Sequence, residues 1–194
     1  MKAPALAVAV ATLLVASPLA FQSTKGVAVD KAFAPGGTIT MKLAAGDYRI
    51  SGRLEQKIRV EWRVDHAEDA SRVKADADIR GTSAVLTTTG VKNGMHFTID
   101  VPERSDINIE MSAGDLEIRG IEGNKKVDSW AGDVSIDVGK PEQYREVEAS
   151  VRAGDLSAKP FNVMQGGLMR GFKRSGKGPY VLQVKLFAGD LTLR

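Results

Sequence analysis

Five aspartates recur in one context, each as the last residue of an Ala-Gly-Asp triplet. The five Gly-Asp pairs are Gly46-Asp47, Gly114-Asp115, Gly132-Asp133, Gly154-Asp155 and Gly189-Asp190. If the triplets stack in register, Asp115, Asp133 and Asp155 stand about 4.8 Å apart, the spacing of neighbouring β-strands. Carboxylates at that spacing suit two chemistries: binding of Ca²⁺, which takes about six to eight oxygen ligands, and glycoside hydrolysis by a carboxyl pair.

A structural role competes with both chemistries and is the one we favour. The Gly-Gly-x-Gly-x-Asp loop of calcium-binding β-rolls does not occur in the sequence. Any stacked row of aspartates reproduces the glycosidase separation, and nothing marks one carboxylate as buried. Gly adopts positive φ without steric cost, and Asp can hydrogen-bond its own backbone in an Asx-turn. We therefore interpret each Gly-Asp pair as a turn, with calcium disfavoured and no cofactor predicted.

Other residues that could do chemistry lack the spacing it requires. The cluster Asp65-His66-Ala-Glu68-Asp69 has no His or Cys pair at zinc-site spacing, so we interpret it as a solvated loop. His96 is interpreted as an ordinary surface histidine on a strand. The chain has no Cys and no Gly-x-Ser-x-Gly, so nucleophilic catalysis has no visible parts. We predict that the protein is not an enzyme, and a carbohydrate-active enzyme on a β-helix scaffold is the less favoured alternative.

A Gly-rich insertion at residues 159–179 is the best candidate for an interaction site. It contains five glycines and no acidic residue. Its basic side chains are Lys159, Arg170, Lys173, Arg174 and Lys177. A mobile basic loop of this kind could bind an anionic envelope polymer, phospholipid headgroups or another envelope protein. The simpler explanation is a solvated hairpin tip, or a strand pair whose apolar residues complete the core.

Composition argues against nucleic acid as a partner. The formal net charge is +3 at pH 7, from 27 basic and 24 acidic residues spread along the chain. Aromatic residues make up 6% of the chain, so stacking platforms for bases or sugars are expected to be scarce.

Strict alternation of apolar and polar residues surrounds every triplet. Apolar side chains mostly occupy the positions three and five before each Gly, and polar ones the positions four and six before it. This period of two is typical of a strand with one buried face. Beyond the Gly the alternation resumes on the other parity, as in Leu116 and Ile118. Each Gly-Asp pair must therefore bulge or turn a corner, so that both halves face one core.

The repeats predict an all-β chain, a β-solenoid or β-helix-like stack of short strands with Gly-Asp corners. The second to fourth corner glycines are 18 and 22 residues apart, as in stacked repeat units. An antiparallel β-sandwich is the alternative. We predict one domain over residues 21–194, irregular over about 21–100 and regular over about 101–194, apart from the insertion.

Residues 1–20 have the features of a secretory signal peptide. Lys2 supplies a short positive region, an apolar run spans residues 3–16, and small residues follow. The run is short for a membrane-spanning helix, which needs about 20 residues. We therefore predict a protein exported to the periplasm, the outer cell surface or the medium, and not an integral membrane protein once the peptide is cleaved.

Several stretches resemble the bacterial putative-adhesin domains of unknown function. These stretches are residues 101–120, which begin Val-Pro-Glu-Arg and contain the second triplet, and residues 129–136, 176–184 and 187–193. The resemblance covers roughly residues 24–194. It implies a β-solenoid-like fold in an exported envelope protein with a structural, adhesive or interaction role, and it implies no catalytic residues.

Overall fold

The computed structural model describes residues 24–194, so the predicted signal peptide at 1–20 lies outside the described residues. The described part is almost entirely β-structure, which confirms the all-β prediction. The strands are β1 Lys25–Ala32, β2 Thr38–Leu43, β3 Asp47–Arg53, β4 Lys57–Val64, β5 Lys74–Arg80, β6 Ser83–Thr89, β7 Met95–Pro102, β8 Asp106–Met111, β9 Leu116–Arg119, β10 Lys125–Ala131, β11 Val134–Ile136, β12 Tyr144–Ala153, β13 Leu156–Ala158, β14 Val163–Gln165, β15 Leu168–Ser175, β16 Tyr180–Ala188 and β17 Leu191–Leu193. Short 3-10 helices span Ala67–Arg72, Pro141–Gln143 and Lys159–Phe161.

The strands form two mixed sheets. The nine-stranded sheet has the order β1-β4-β7-β3-β9-β11-β17-β13-β14, and the eight-stranded sheet has the order β15-β12-β16-β10-β8-β2-β6-β5. The central strands of both sheets are parallel, whereas antiparallel strands lie at the edges: β1 and β4 with β14 in one sheet, β5 with β15 in the other.

Each Ala-Gly-Asp triplet links one strand of the eight-stranded sheet to one strand of the nine-stranded sheet. The linked pairs are β2–β3, β8–β9, β10–β11, β12–β13 and β16–β17. Residues at the same position of the repeat pair with each other on neighbouring strands. For example, Ile109 of β8 pairs with Val127 of β10 on one side and with Met41 of β2 on the other. The change of parity at the Gly keeps apolar residues on the inner side of both strands, so Ile109 and Leu116 are both about 1% exposed. The chain therefore turns a corner at each triplet.

The order of the corner units differs from the order in the chain. The fifth unit, β16–β17, lies between the third and the fourth, because β16 pairs with β10 and β12, and β17 pairs with β11 and β13. The expectation that Asp133 and Asp155 are neighbours was wrong. The physical reason is that β14 and β15, which follow the fourth unit, cover its outer edge. The fifth unit, β16–β17, therefore pairs with the opposite edge of the fourth unit, the edge that faces the rest of the stack.

A single apolar cluster lies between the sheets and runs from Val29 to Leu193. The N-terminal part extends the stack rather than standing apart from it, since β6 pairs parallel with β2, and β7 pairs parallel with β3. Lys125 is the largest charged side chain in this interior, at 1% exposure. Over residues 24–194, no helix has the length and apolar character that a membrane span requires.

Candidate interaction groove and corner ladder

The corner aspartates form a ladder of hydrogen bonds between neighbouring units. Each Oδ1 accepts from the backbone N–H of the next aspartate in the stack. From Asp47 the steps run to Asp115 at 3.5 Å, Asp133 at 3.2 Å, Asp190 at 3.0 Å and Asp155 at 2.9 Å. The carboxylates therefore accept hydrogen bonds from backbone N–H groups of the neighbouring unit. The sequence had suggested Asx-turns, in which each Asp would bond to the backbone of its own unit. This inter-unit hydrogen bond explains why each corner of the repeat has an Asp at this position.

The corner glycines are required by close approach of neighbouring backbones. Gly114 and Gly132 have φ of +105° and +108°. A Cβ on Gly132 would overlap the carbonyl oxygen of Gly114, and a Cβ on Gly114 would overlap that of Gly46. Gly154 and Gly189 meet the same constraint further along the stack. Within residues 24–194 no group of three or more His, Cys, Asp or Glu side chains is arranged to hold a metal ion.

The histidine and acidic cluster of the sequence are only partly brought together. His96, on β7, has Nδ1 3.1 Å from Asp47 Oδ2 and Nε2 3.2 Å from Asp65 Oδ1. Asp69 pairs with Arg72 at 3.3 Å across the 3-10 helix. His96 thus ties the end of the aspartate ladder to the segment after β4. It is a bridging residue, where the sequence suggested a plain surface histidine.

The basic insertion at 159–179 contains two paired strands, as in the simpler explanation of a strand pair that completes the core, and it is not a mobile loop. A 3-10 turn, β14 and β15 close one end of both sheets, because their backbones pair with β13 and β12. Phe161 is buried at 6% exposure and Phe172 packs against the core. All five basic side chains predicted for this site are exposed: Lys159, Arg170, Lys173, Arg174 and Lys177.

Their surroundings differ from one another. Lys173 forms an ion pair with Glu146 at 2.8 Å, which raises the pKa of Lys173 through that hydrogen bond. Arg174 lies over the ring of Phe161 at 5.7 Å, and Arg170 Nε donates to the carbonyl of Gly166 at 2.7 Å. Arg174 and Lys177 line one small cavity with Phe161, whereas Arg170 lines a different one, so the five charges do not all converge on one point.

A row of side chains, which we call the platform row, lies on the outer face of the eight-stranded sheet. It contains the residue two before each corner Gly. In stack order these are Ala44, Ser112, Trp130, Phe187 and Arg152, and Met169 of β15 continues the row. The indole of Trp130 and the ring of Phe187 are stacked, with centroids 4.1 Å apart and planes 4° apart. Arg152 lies over Phe187 at 5.3 Å.

This stack is unusually open to solvent for its size. Trp130 is 62% exposed and Met169 is 82% exposed. Beside the row runs a shallow groove of about 1070 Å³, which crosses strands β6, β2, β8, β10, β16, β12 and β15. Charged side chains along the groove include Lys42, Glu110 and Lys185. Exposed apolar surface bounded by polar residues is typical of an interaction site.

Sequence reasoning missed this platform. Trp130 and Phe187 are 57 residues apart in the chain, with Arg152 between them at the equivalent position. They become neighbours only because the fifth corner unit enters the stack beside the third. The usable signal was the position two before each Gly, whose residue types vary while the positions around it stay regular.

Comparison with known proteins adds information about the fold. No protein-family model matches the sequence, and neither does any curated protein. A similar solved structure is that of a putative cell adhesion protein from Clostridium sporogenes ATCC 15579. The similarity covers 87% of this chain and 97% of that chain, with a TM-score of 0.55 and 14% sequence identity. At this identity the similarity describes the fold alone.

Proposed function

We propose that this is an exported, non-enzymatic β-repeat protein that acts at the bacterial cell envelope or cell surface in adhesion, interaction or structure. The groove beside Trp130 and Phe187 is the place where its partner binds. The observation that carries this proposal is the stacked, exposed aromatic pair on a rigid sheet. The putative cell adhesion protein with the similar fold supports it, as does the resemblance of residues 101–194 to putative-adhesin domains.

The scaffold suits such a role because the sheet fixes the positions of Trp130 and Phe187 before any partner binds. Parallel pairing in register, one corner per unit, supports describing the stack as a short β-solenoid rather than an antiparallel sandwich. Covering the exposed parts of Trp130 and Phe187 would remove roughly 200 Å² of apolar surface. That contributes about 5 kcal/mol before the costs of association. Few rotamers are lost on binding, since the two rings already restrain each other.

The test is retention of the labelled protein on intact cells and isolated envelopes of the source organism. Trp130→Ala is expected to weaken retention by about tenfold or more, because aromatic anchors carry much of the energy of an interface. Leu54→Ala is the matched control, since Leu54 is 84% exposed on the turn between β3 and β4, away from the groove. Equal retention of both variants and the wild type would contradict the proposal.

A second candidate uses the exposed charges at the β14–β15 end to bind an anionic envelope polymer or lipid. No acidic residue lies within 159–179, and Arg170 reaches the edge of the groove. Retention through this end would fall steeply when salt is raised, and with Arg170, Arg174 and Lys177 changed to Gln. Retention through the platform would persist in salt and depend on Trp130. One salt series on the wild type and both variants therefore separates the two candidates.

A further inference from the structure

We infer that the open face of Trp130 binds a neutral saccharide ring, an inference that rests on the proposed function and names its ligand class. The indole has two faces, and Phe187 of the adjacent strand β16 covers one of them at 4.1 Å. Because the two rings are stacked with their planes nearly parallel, the second face of the indole is turned away from β16, towards β8. There the platform row contains Ser112 and then Ala44, both small. A slot about two strand spacings wide, roughly 9–10 Å, therefore lies open beside the indole.

Hydrogen-bonding groups surround this slot on the same outer face. Asp128, Glu110 and Lys42 stand opposite one another on β10, β8 and β2, two residues before the platform row on each strand. Within residues 24–194 neither Glu110 nor Lys42 forms an ion pair, and Asp128 has only Lys126 at 3.9 Å. Their capacity to donate and accept hydrogen bonds is therefore free for a ligand.

The combination of one aromatic face with free carboxylates favours a sugar over the other ligands of an aromatic slot. A pyranose presents C–H groups on its face and hydroxyls around its rim, so it can stack on the indole while its hydroxyls donate to Glu110 and Asp128. An apolar side chain from a protein partner would cover the same carboxylates without pairing them, which is costly. Lys42, Glu110, Asp128 and Lys185 stand side by side on β2, β8, β10 and β16. The two charges of each sign give no net attraction for an anionic ligand, so the expected saccharide is neutral.

The binding test uses an array of neutral oligosaccharides containing glucose, galactose, mannose or N-acetylglucosamine, with uronic-acid oligosaccharides beside them. We expect the full chain to bind neutral members only. Trp130→Ala should weaken this binding about tenfold or more, and Leu54→Ala should leave it unchanged. Ser112→Phe fills the slot with a ring of the chain's own, so it should also abolish binding at an unchanged melting temperature. In Trp62→Phe protein, Trp130 is the remaining tryptophan, and its fluorescence should change on titration with the bound sugar.

A second arm separates this inference from the proposed function. Isolated envelopes are treated with periodate, which cleaves vicinal diols of sugars, or with protease, and retention of wild-type and Trp130→Ala protein is measured. Trp130-dependent retention that periodate removes and protease spares supports the saccharide, whichever sugars the array contains. Trp130-dependent retention that protease removes and periodate spares overturns the saccharide and leaves the proposed function standing. Retention that never depends on Trp130 overturns both.

Discussion

The two outer faces of this molecule are built from the same repeats, yet one glutamate on each face is used in the opposite way. On the nine-stranded sheet, Glu117 receives hydrogen bonds from Arg49 at 3.0 Å, Arg194 at 2.6 Å and Arg119. On the eight-stranded sheet, Glu110 lies seven residues earlier in the chain and forms no ion pair within residues 24–194. Glu117 on the first face is fully paired, whereas Glu110 on the second face is left open beside an aromatic stack.

The electrostatics of Glu117 show how complete that satisfaction is. Partial burial works to raise the pKa of its carboxyl, but hydrogen bonds from Arg119, Arg49 and Arg194 outweigh it and lower the pKa to about 2. Such a carboxylate has little capacity left for a ligand. The comparison therefore teaches that charge density does not mark the binding face of this fold. Our proposal instead relies on free hydrogen-bonding capacity next to exposed rings.

The largest expected effect comes from breaking a corner, because both faces depend on the same corners. Gly132→Val places a side chain against the carbonyl of Gly114 at a residue with φ of +108°. Strain and overpacking together should cost about 3–5 kcal/mol, a large part of the stability of a typical domain. Denaturant unfolding should show both faces lost in one weakened transition.

The matched control is a glycine with positive φ but free space around it. Gly139 has φ of +70°, and an added Cβ would meet nothing within 4 Å. Gly139→Ala should therefore cost only the backbone term, about 1–2 kcal/mol. Equal losses for both variants would mean that close approach at the corner is not what requires glycine.

Much of this fold could be predicted from the sequence, because alternation and its change of parity are local properties. They indicated the strands on either side of each corner, and they placed Ile109 and Leu116 correctly in the core. Pairing partners are not local. The fifth unit lies between the third and the fourth because β14 and β15 cover the outer edge of the fourth unit. No residue type in β14 or β15 predicts that pairing.

The candidate site could not be predicted for the same reason. Trp130 and Phe187 are ordinary exposed residues when each is considered alone, and the platform exists only through the order of the strands. The basic segment, by contrast, is conspicuous in the sequence but becomes a closed edge in the structure. Composition drew attention to the segment that caps the stack, while the open aromatic surface arose from topology.

An intermediate effect is expected from the charge that lies between the two faces. Burial lowers the pKa of Lys125 to about 8 against the attraction of Asp137, Glu122 and Asp106, and its Nζ donates to Tyr144 Oη at 2.7 Å. Between this folded pKa and the ordinary value of 10.5, the unfolded chain binds a proton that the folded chain does not. Stability should therefore rise by about 3 kcal/mol as pH increases across this window.

Lys125→Met isolates this effect, because it removes the titrating group and keeps an unbranched side chain. Its free energy of unfolding, measured by denaturant titration from pH 7 to pH 10, should lack the rise seen in the wild type. Burial raises the pKa of Tyr48 to about 12 and also raises that of Tyr144. Ionisation of these tyrosines in the unfolded chain therefore lowers stability only near the upper end of this pH range, and it does so in both proteins. The same slope in both proteins would show that Lys125 is not the responsible group.

The smallest expected effect tests the comparison of faces directly, with one chemical change made on each. Glu117→Gln removes the acceptor shared by three arginines, so it should cost about 1 kcal/mol at low salt, and less at high salt, as for a surface network. Glu110→Gln removes a carboxylate that no ion pair uses, so it should leave the melting temperature within about a degree.

The two glutamates should exchange roles when binding is measured. Glu110→Gln is expected to weaken saccharide binding several-fold, because an amide accepts hydroxyl hydrogen bonds less strongly than a carboxylate does. Glu117→Gln should leave binding unchanged, because its carboxylate lies on the other face and is already fully engaged. A protein in which Glu110 mattered to stability and Glu117 to binding would reverse the assignment. If both changes affected stability alike and binding not at all, the two faces would be equivalent, and the open charges beside Trp130 would be incidental.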